Sequence, residues 1–177
     1  MASDFQRRKI AGIFGAMDAD DDGYLTESDF RALTARWLDV RGTDGGTPEG
    51  VKLTSIMMGW WTTLRDASDR DRDGKVSLDE VLAVVDELPK TPGAVTGTAS
   101  AMFEAVDENG DGAISAAEYH RMIEAWSGAT TSTYDVFALL DTDGDGRLSH
   151  AEFTGHWYEF WAGDDPAAPG SAVFGRV

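Results

Sequence analysis

Four twelve-residue stretches place oxygen-bearing side chains at regular intervals around a glycine: DADDDGYLTESD (18–29), DRDRDGKVSLDE (69–80), DENGDGAISAAE (107–118) and DTDGDGRLSHAE (141–152). Positions 1, 3 and 5 are Asp18, Asp20 and Asp22; Asp69, Asp71 and Asp73; Asp107, Asn109 and Asp111; and Asp141, Asp143 and Asp145. Three such oxygens converge on one point only if the chain wraps around it. The glycine at position 6 (Gly23, Gly74, Gly112, Gly146) makes that turn, because φ > 0 is cheap without a Cβ. Position 7 needs only its backbone carbonyl, so its side chain is free to vary: Tyr24, Lys75, Ala113 and Arg147. Position 9 is Thr26, Ser77, Ser115 or Ser149, short enough to reach an ion through a water. Position 12 supplies a closing carboxylate from Asp29, Glu80, Glu118 or Glu152. An all-oxygen set of this kind suits a hard divalent cation, Ca²⁺ first and Mg²⁺ second.

The first loop differs at its last position. Asp29 is one methylene shorter than the glutamate that closes the others. To bind through both oxygens it must draw the following helix inward by about 1–1.5 Å, roughly one C–C bond. Binding through one oxygen gives six-fold coordination, which suits Mg²⁺. Loop one is therefore expected to be the weakest or most Mg²⁺-tolerant calcium site. The alternative is that it closes on calcium regardless.

The spacing matches the EF-hand calcium loop. Position 8 is always apolar and branched (Leu25, Val76, Ile114, Leu148), which predicts a short antiparallel bridge between loops one and two and another between loops three and four. A set of acidic turns or helix caps would require neither that residue nor the glycine.

The charge follows the loops. The formal net charge is -17, and the four loops hold 19 of the 32 acidic residues but only 4 of the 15 basic ones. The remaining scaffold is nearly neutral. Clusters of this kind repel themselves unless cations fill them, and no basic patch offers a nucleic-acid surface. There is no cysteine, so disulfides and thiolate metal sites are excluded. The opening MASDFQRRKI lacks the apolar run of a signal peptide, and no stretch is long and apolar enough to span a bilayer. A cytoplasmic monomer is the expectation.

The elements that must position the loops are amphipathic helices. Ile13, Phe14 and Met17; Met102, Phe103 and Val106; and Val136, Phe137 and Leu140 form apolar stripes on incoming helices. Outgoing helices start with Phe30, Val81, Tyr119 and Phe153. The second incoming helix departs from this pattern, carrying Arg65 and Ser68 near its end and Trp60 and Trp61 earlier. Thr47 and Pro48 mark its start. LPKTPG (88–93) has two prolines in four residues, so no continuous helix joins the halves and they fold back on each other. The expected organisation is all-α: an N-terminal EF-hand pair (1–88), a hinge (89–93), a C-terminal pair (94–162) and a tail (163–177). The tail GDDPAAPGSAVFGRV is too irregular for a helix, yet its Val173 and Phe174 can return to plug a groove.

Four such loops, a long first inter-loop segment and a Pro/Gly hinge resemble the sarcoplasmic calcium-binding proteins, and among them the bacterial calerythrin-type relatives. A first loop closing on aspartate and an FGR-like tail add to the likeness. The resemblance implies two EF-hand pairs packed face to face around an aromatic core, with a role in calcium buffering or, in bacterial members, signalling. Calerythrin-like proteins commonly carry a degenerate second hand. Here Asp69, Asp71, Asp73 and Glu80 are intact, which allows up to four calcium ions.

Three function classes follow. A buffer hides its core, and 18 aromatics against 6 methionines favour a filled interior over an adaptable groove. A sensor would open on calcium and bind a protein partner. A calcium-triggered photoprotein-like oxygenase would line a cavity with the HWYEFW run (156–161), His120, Trp60 and Trp61. These residues read better as core, and no catalytic motif argues for an enzyme. A calcium buffer of limited opening is the expected function.

Overall fold

The computed structural model describes residues 2–175, apart from the side chain of residue 94. Each loop is flanked by two helices: α1 (Asp4–Met17) and α2 (Glu27–Arg41), α3 (Pro48–Ser68) and α4 (Leu78–Val85), α5 (Pro92–Val106) and α6 (Ala116–Ser127), α7 (Tyr134–Leu140) and α8 (His150–Ala162). Local sequence sets most of their ends. Ser3 and Thr47 cap α1 and α3, each accepting an N–H from three residues on, and Pro48 occupies the first turn of α3. Gly42 and Gly128 end α2 and α6 in the left-handed conformation.

The two expected bridges are present. Strand β1 (Tyr24–Leu25) pairs antiparallel with β2 (Val76–Ser77), with Leu25 opposite Val76. Strand β3 (Ala113–Ser115) pairs with β4 (Arg147–Ser149), with Ile114 opposite Leu148. All four position-8 side chains are fully buried. The fold is all-α apart from these bridges.

The halves fold back as the prolines require. The first helical turn after the hinge begins earlier than expected, at Pro92, because proline is tolerated where the N–H has no helical partner anyway. Helix α2 packs on α3 and α6, and α5 packs on α3 and α8. Trp60 stands at the junction, its ring 5.5 Å from Phe30, 5.4 Å from Trp126 and 5.8 Å from Trp157. Edge-on contacts at these spacings suit the aromatic quadrupole.

The tail is more regular than its composition suggests. Pro169–Ala172 forms a 3₁₀ turn packed on α8. Val173 is buried, and Tyr119 donates its phenolic hydrogen to the Val173 carbonyl at 3.0 Å. Phe174 lies 4.8–6.3 Å from the rings of Phe160, Trp157, Trp126 and Trp161. The tail thus occupies a groove of the C-terminal half. The last residue of the FGR sequence, Arg176, lies outside the described residues.

Candidate metal centres

The same hydrogen-bond scheme recurs four times. The position-1 carboxylate accepts the N–H groups of positions 5 and 6: Asp18 from Asp22 and Gly23, Asp69 from Asp73 and Gly74, Asp107 from Asp111 and Gly112, Asp141 from Asp145 and Gly146. The position-5 aspartate accepts the N–H of position 7 at 2.8–3.1 Å in every loop. The glycines at position 6 hold φ of 82–85°, as the turn demands.

Position 12 spans two anchors. One oxygen of Glu80, Glu118 and Glu152 accepts the N–H of position 2 at 3.1 Å, and the other accepts the N–H and hydroxyl of the position-9 serine. Each glutamate is therefore the third residue of a capping box on the outgoing helix. Asp29 makes the same contacts, to the Ala19 N–H at 3.0 Å and to the Thr26 N–H and hydroxyl at 2.7 and 2.8 Å. It is only 2% exposed. Both Asp29 oxygens thus face into loop one, held by the same kinds of anchor as the longer glutamates.

Carboxylate oxygens gather within 4.8 Å of one another in three of the loops: Asp18, Asp20 and Asp22; Asp69, Asp71 and Asp73; Asp141, Asp143 and Glu152. Asn109 replaces one carboxylate in loop three. Three of the position-7 side chains are exposed, and they serve another purpose: Lys75 sits 5.1 Å over the Tyr24 ring, and Arg147 pairs with Asp111 at 3.1 Å.

Electrostatics separates the loops. Lost solvation and the charges of Asp22 and Asp29 push the Asp20 carboxyl above its usual range. Asp143 is also pushed up: the Asp145 N–H favours its charge, but lost solvation and the carboxylates of Asp145 and Glu152 oppose it more. Glu80 is held low by the Ser77 N–H, and Asp111 by the Ala113 N–H together with Arg147. Burial works against the Glu152 charge, yet hydrogen bonds from Ser149, Thr142 and the Asp143 N–H bring it down to about 2. Self-repelling carboxylates with preformed N–H support fit a bound divalent cation.

The histidines are dispersed. His120 contacts the Thr133 hydroxyl, exposed His150 contacts Ser100, and His156 binds the Leu140 carbonyl at 2.7 Å. Trp60, Trp61, Trp157 and Trp161 are core residues.

Sequence reasoning missed the side chains that lock the halves together. Arg36 of α2 donates to the carbonyls of Ala125 and Trp126 at the end of α6, at 2.5 and 3.0 Å. Arg41 of α2 donates to the Ala105 carbonyl at the end of α5, and its Nε lies 3.2 Å from Glu108. Lys9 of α1 donates to the carbonyls of Glu159 and Gly163 at the end of α8, beside Gln6, which donates to that of Trp161. Three cations from the first half thus cap three helix C-termini of the second, where free carbonyls and the helix dipole favour positive charge. Burial lowers the Lys9 amine to about 8 against the pull of Asp164 and Glu159. No local signal marks these residues, since their partners lie 64–155 positions away.

Known proteins share the pattern. The EF-hand domain pair model matches residues 98–158, and the EF hand model matches 10–34 and 66–85, so all four loops are covered. The sarcoplasmic calcium-binding protein beta chain of a Penaeus shrimp is 31% identical over 58% of this chain and 57% of its own length. The match thus spans little more than half of the shrimp protein. A Streptomyces coelicolor calcium-binding protein, described in terms of prokaryotic calcium-mediated regulation, aligns at 25% identity and TM-score 0.75, covering 90% of this chain and 99% of that one. The amphioxus sarcoplasmic calcium-binding protein has the same fold at TM-score 0.75 and 20% identity over the full length of both chains. Among the described residues no helix is long and apolar enough to cross a membrane. With every loop of this geometry matched by an EF-hand model, the chain is an EF-hand calcium-binding protein similar to the sarcoplasmic calcium-binding proteins.

Proposed function

We propose that the chain is a four-site calcium buffer of limited opening. Asp18, Asp20, Asp22, Tyr24 and Asp29 would hold the first ion; Asp69, Asp71, Asp73, Lys75 and Glu80 the second. Asp107, Asn109, Asp111, Ala113 and Glu118 would hold the third; Asp141, Asp143, Asp145, Arg147 and Glu152 the fourth. Position 7 contributes its carbonyl. The bound ion neutralises the carboxylates and holds each outgoing helix against its loop. Loop one is read as a calcium site that also accepts Mg²⁺. The chain is read as two EF-hand pairs joined through 89–93, acting as a cytoplasmic monomer without enzymatic activity.

The observation that carries this reading is the cation clamp between the halves. Opening a hand to expose a groove would strip Lys9, Arg36 or Arg41 from its helix end and separate Trp60 from Trp126. Each orphaned buried polar group costs about 1–3 kcal/mol. That opposes the wide opening a sensor needs.

A calcium titration by calorimetry at millimolar magnesium, run beside fluorescence of a dye that binds exposed apolar surface, tests it. A buffer gives four sites whose apparent affinity falls as magnesium rises, with no dye signal on calcium loading. Three magnesium-insensitive sites with a calcium-dependent rise in dye fluorescence would instead establish a sensor. The regulatory role in the Streptomyces protein's description favours that second reading.

A further inference from the structure

Helix α2 touches two loops of different pairs. Its first turn carries Asp29, which closes loop one onto Ala19 and Thr26. Its last turn carries Arg41, which reaches loop three through Glu108, the position-2 residue of that loop. Asp29 and Arg41 are twelve residues apart on one helix, about 18 Å along its axis.

Glu108 is held on three sides. Arg41 approaches its carboxylate from α2, Arg121 donates to the same oxygen at 2.8 Å from α6, and its own N–H donates to Glu118 at 3.1 Å. Glu118 closes loop three. Arg36, one and a half turns before Arg41, holds the far end of α6, the helix that begins just before Glu118. Arg41 also holds the end of α5, which leads into Asp107. Both helices flanking loop three are thereby fastened at their C-terminal ends to α2. The Arg41 side chain is 9% exposed, so water screens these contacts little.

The Asp29 closure and the arginine contacts are all satisfied in one placement of α2. Asp29 reaches its anchors on both sides of loop one, Ala19 and Thr26, from the first turn of α2 in that placement. An ion that fixes Asp29 therefore fixes the same α2 position that Arg36 and Arg41 use to hold hand three. We propose that α2 is a lever joining loop one to loop three, with Arg36 and Arg41 as positioning residues that make calcium binding at the two loops mutually reinforcing. This crosses between the pairs, whereas the β-bridges link only loops of the same pair. It rests on the assignment of Asp29 and Glu118 as ligands.

The experiment is a double-mutant cycle on the full chain, read by the amide resonances of Gly23 and Gly112 during calcium titration. Each glycine occupies position 6 of its own loop and reports that loop alone. Asp18→Asn/Asp20→Asn disables loop one; Arg36→Met/Arg41→Met cuts the lever. With the lever intact, disabling loop one should weaken calcium at loop three about fivefold or more, within the usual range of coupling between sites. With the lever cut, the same change should leave loop three unaffected. In calcium-free protein the Glu108 amide should also exchange with solvent faster once the lever is cut. An equal loss in both backgrounds, or none in either, overturns the lever while leaving calcium binding intact. A Gly23 resonance that ignores calcium overturns the lever together with the loop-one assignment. If the arginine pair is needed for folding, Arg41→Lys keeps the charge, loses the forked geometry and should shrink the coupling.

Discussion

The first and last pairs of loops build the same turn from different residues. At position 4 the chain needs φ near +60°. Gly110 and Gly144 supply it in loops three and four, at φ of 68° and 72°, whereas Asp21 and Arg72 are forced into it in loops one and two, at 57° and 62°. A residue with a Cβ gives up roughly 1–2 kcal/mol there, somewhat less for aspartate. The first pair also has a bridge of two residues per strand against three, and its loops carry 11 acidic residues against 8. The first pair is thus the more strained and the more self-repelling, and it contributes the cations that hold the second pair shut. The half that holds the molecule together is the half that depends more on its ions.

Metal removal should expose that difference most strongly. A ligand at a thousandfold above its Kd stabilises by about 4 kcal/mol per site, so chelation should lower the thermal midpoint markedly. Hydrogen exchange should rise earlier in residues 18–29 and 69–80 than in 107–118 and 141–152. Full retention of near-UV circular dichroism and of the midpoint would break the comparison.

Lengthening the short carboxylate comes next. Asp29→Glu should raise calcium affinity at loop one about tenfold and weaken magnesium competition there, since a bidentate glutamate at position 12 favours the larger ion. A calorimetric titration that finds no change would mean that the shorter carboxylate already closes loop one as well as a glutamate does.

The clamp has its own pH signature. Lys9 is lowered from 10.5 to about 8 in the folded chain. Between those values the unfolded chain keeps the proton and the folded chain has shed it. Stability therefore rises as pH climbs from about 8 toward 10.5, and the burden of the buried charge is fully present below 8. Discounted for solvent screening, the rise should be about 1 kcal/mol. Denaturant unfolding at pH 7.5 and 9.5 measures it, and Lys9→Met should remove the difference.

The smallest change concerns position 4. Arg72→Gly relieves the left-handed strain but loosens the unfolded chain, for a net gain of about 0.5 kcal/mol in the metal-free protein. Gly110→Ala should do the reverse in the second pair. Equal and opposite shifts in thermal midpoint would trace the asymmetry to this position.

The loops could be read from the sequence because their chemistry is local. A carboxylate at position 1 finds its N–H donors four and five residues on, and the bridge partner is announced by an apolar residue at a set offset. The contrast at position 4 was not drawn from the sequence: glycine in two loops and aspartate or arginine in the others gains its meaning only from the φ of 57–72° that all four share. The clamp was hidden, since nothing near Arg36 or Arg41 distinguishes them from solvated helix residues such as Arg31. Their partners are backbone carbonyls, which every residue carries. Phe174 lay in between: its apolar character in a polar tail suggested docking, but the box of Phe160 and three tryptophans comes from helices that only the fold brings together.

The position of that box along the chain affects how the molecule is made. During synthesis Lys9, Arg36 and Arg41 leave the ribosome well before the helix ends they will cap, and Trp126, Trp157 and Trp161 all emerge before Phe174. The N-terminal half must therefore wait with its clamp open. Final closure comes only when residue 174 is free to fold in.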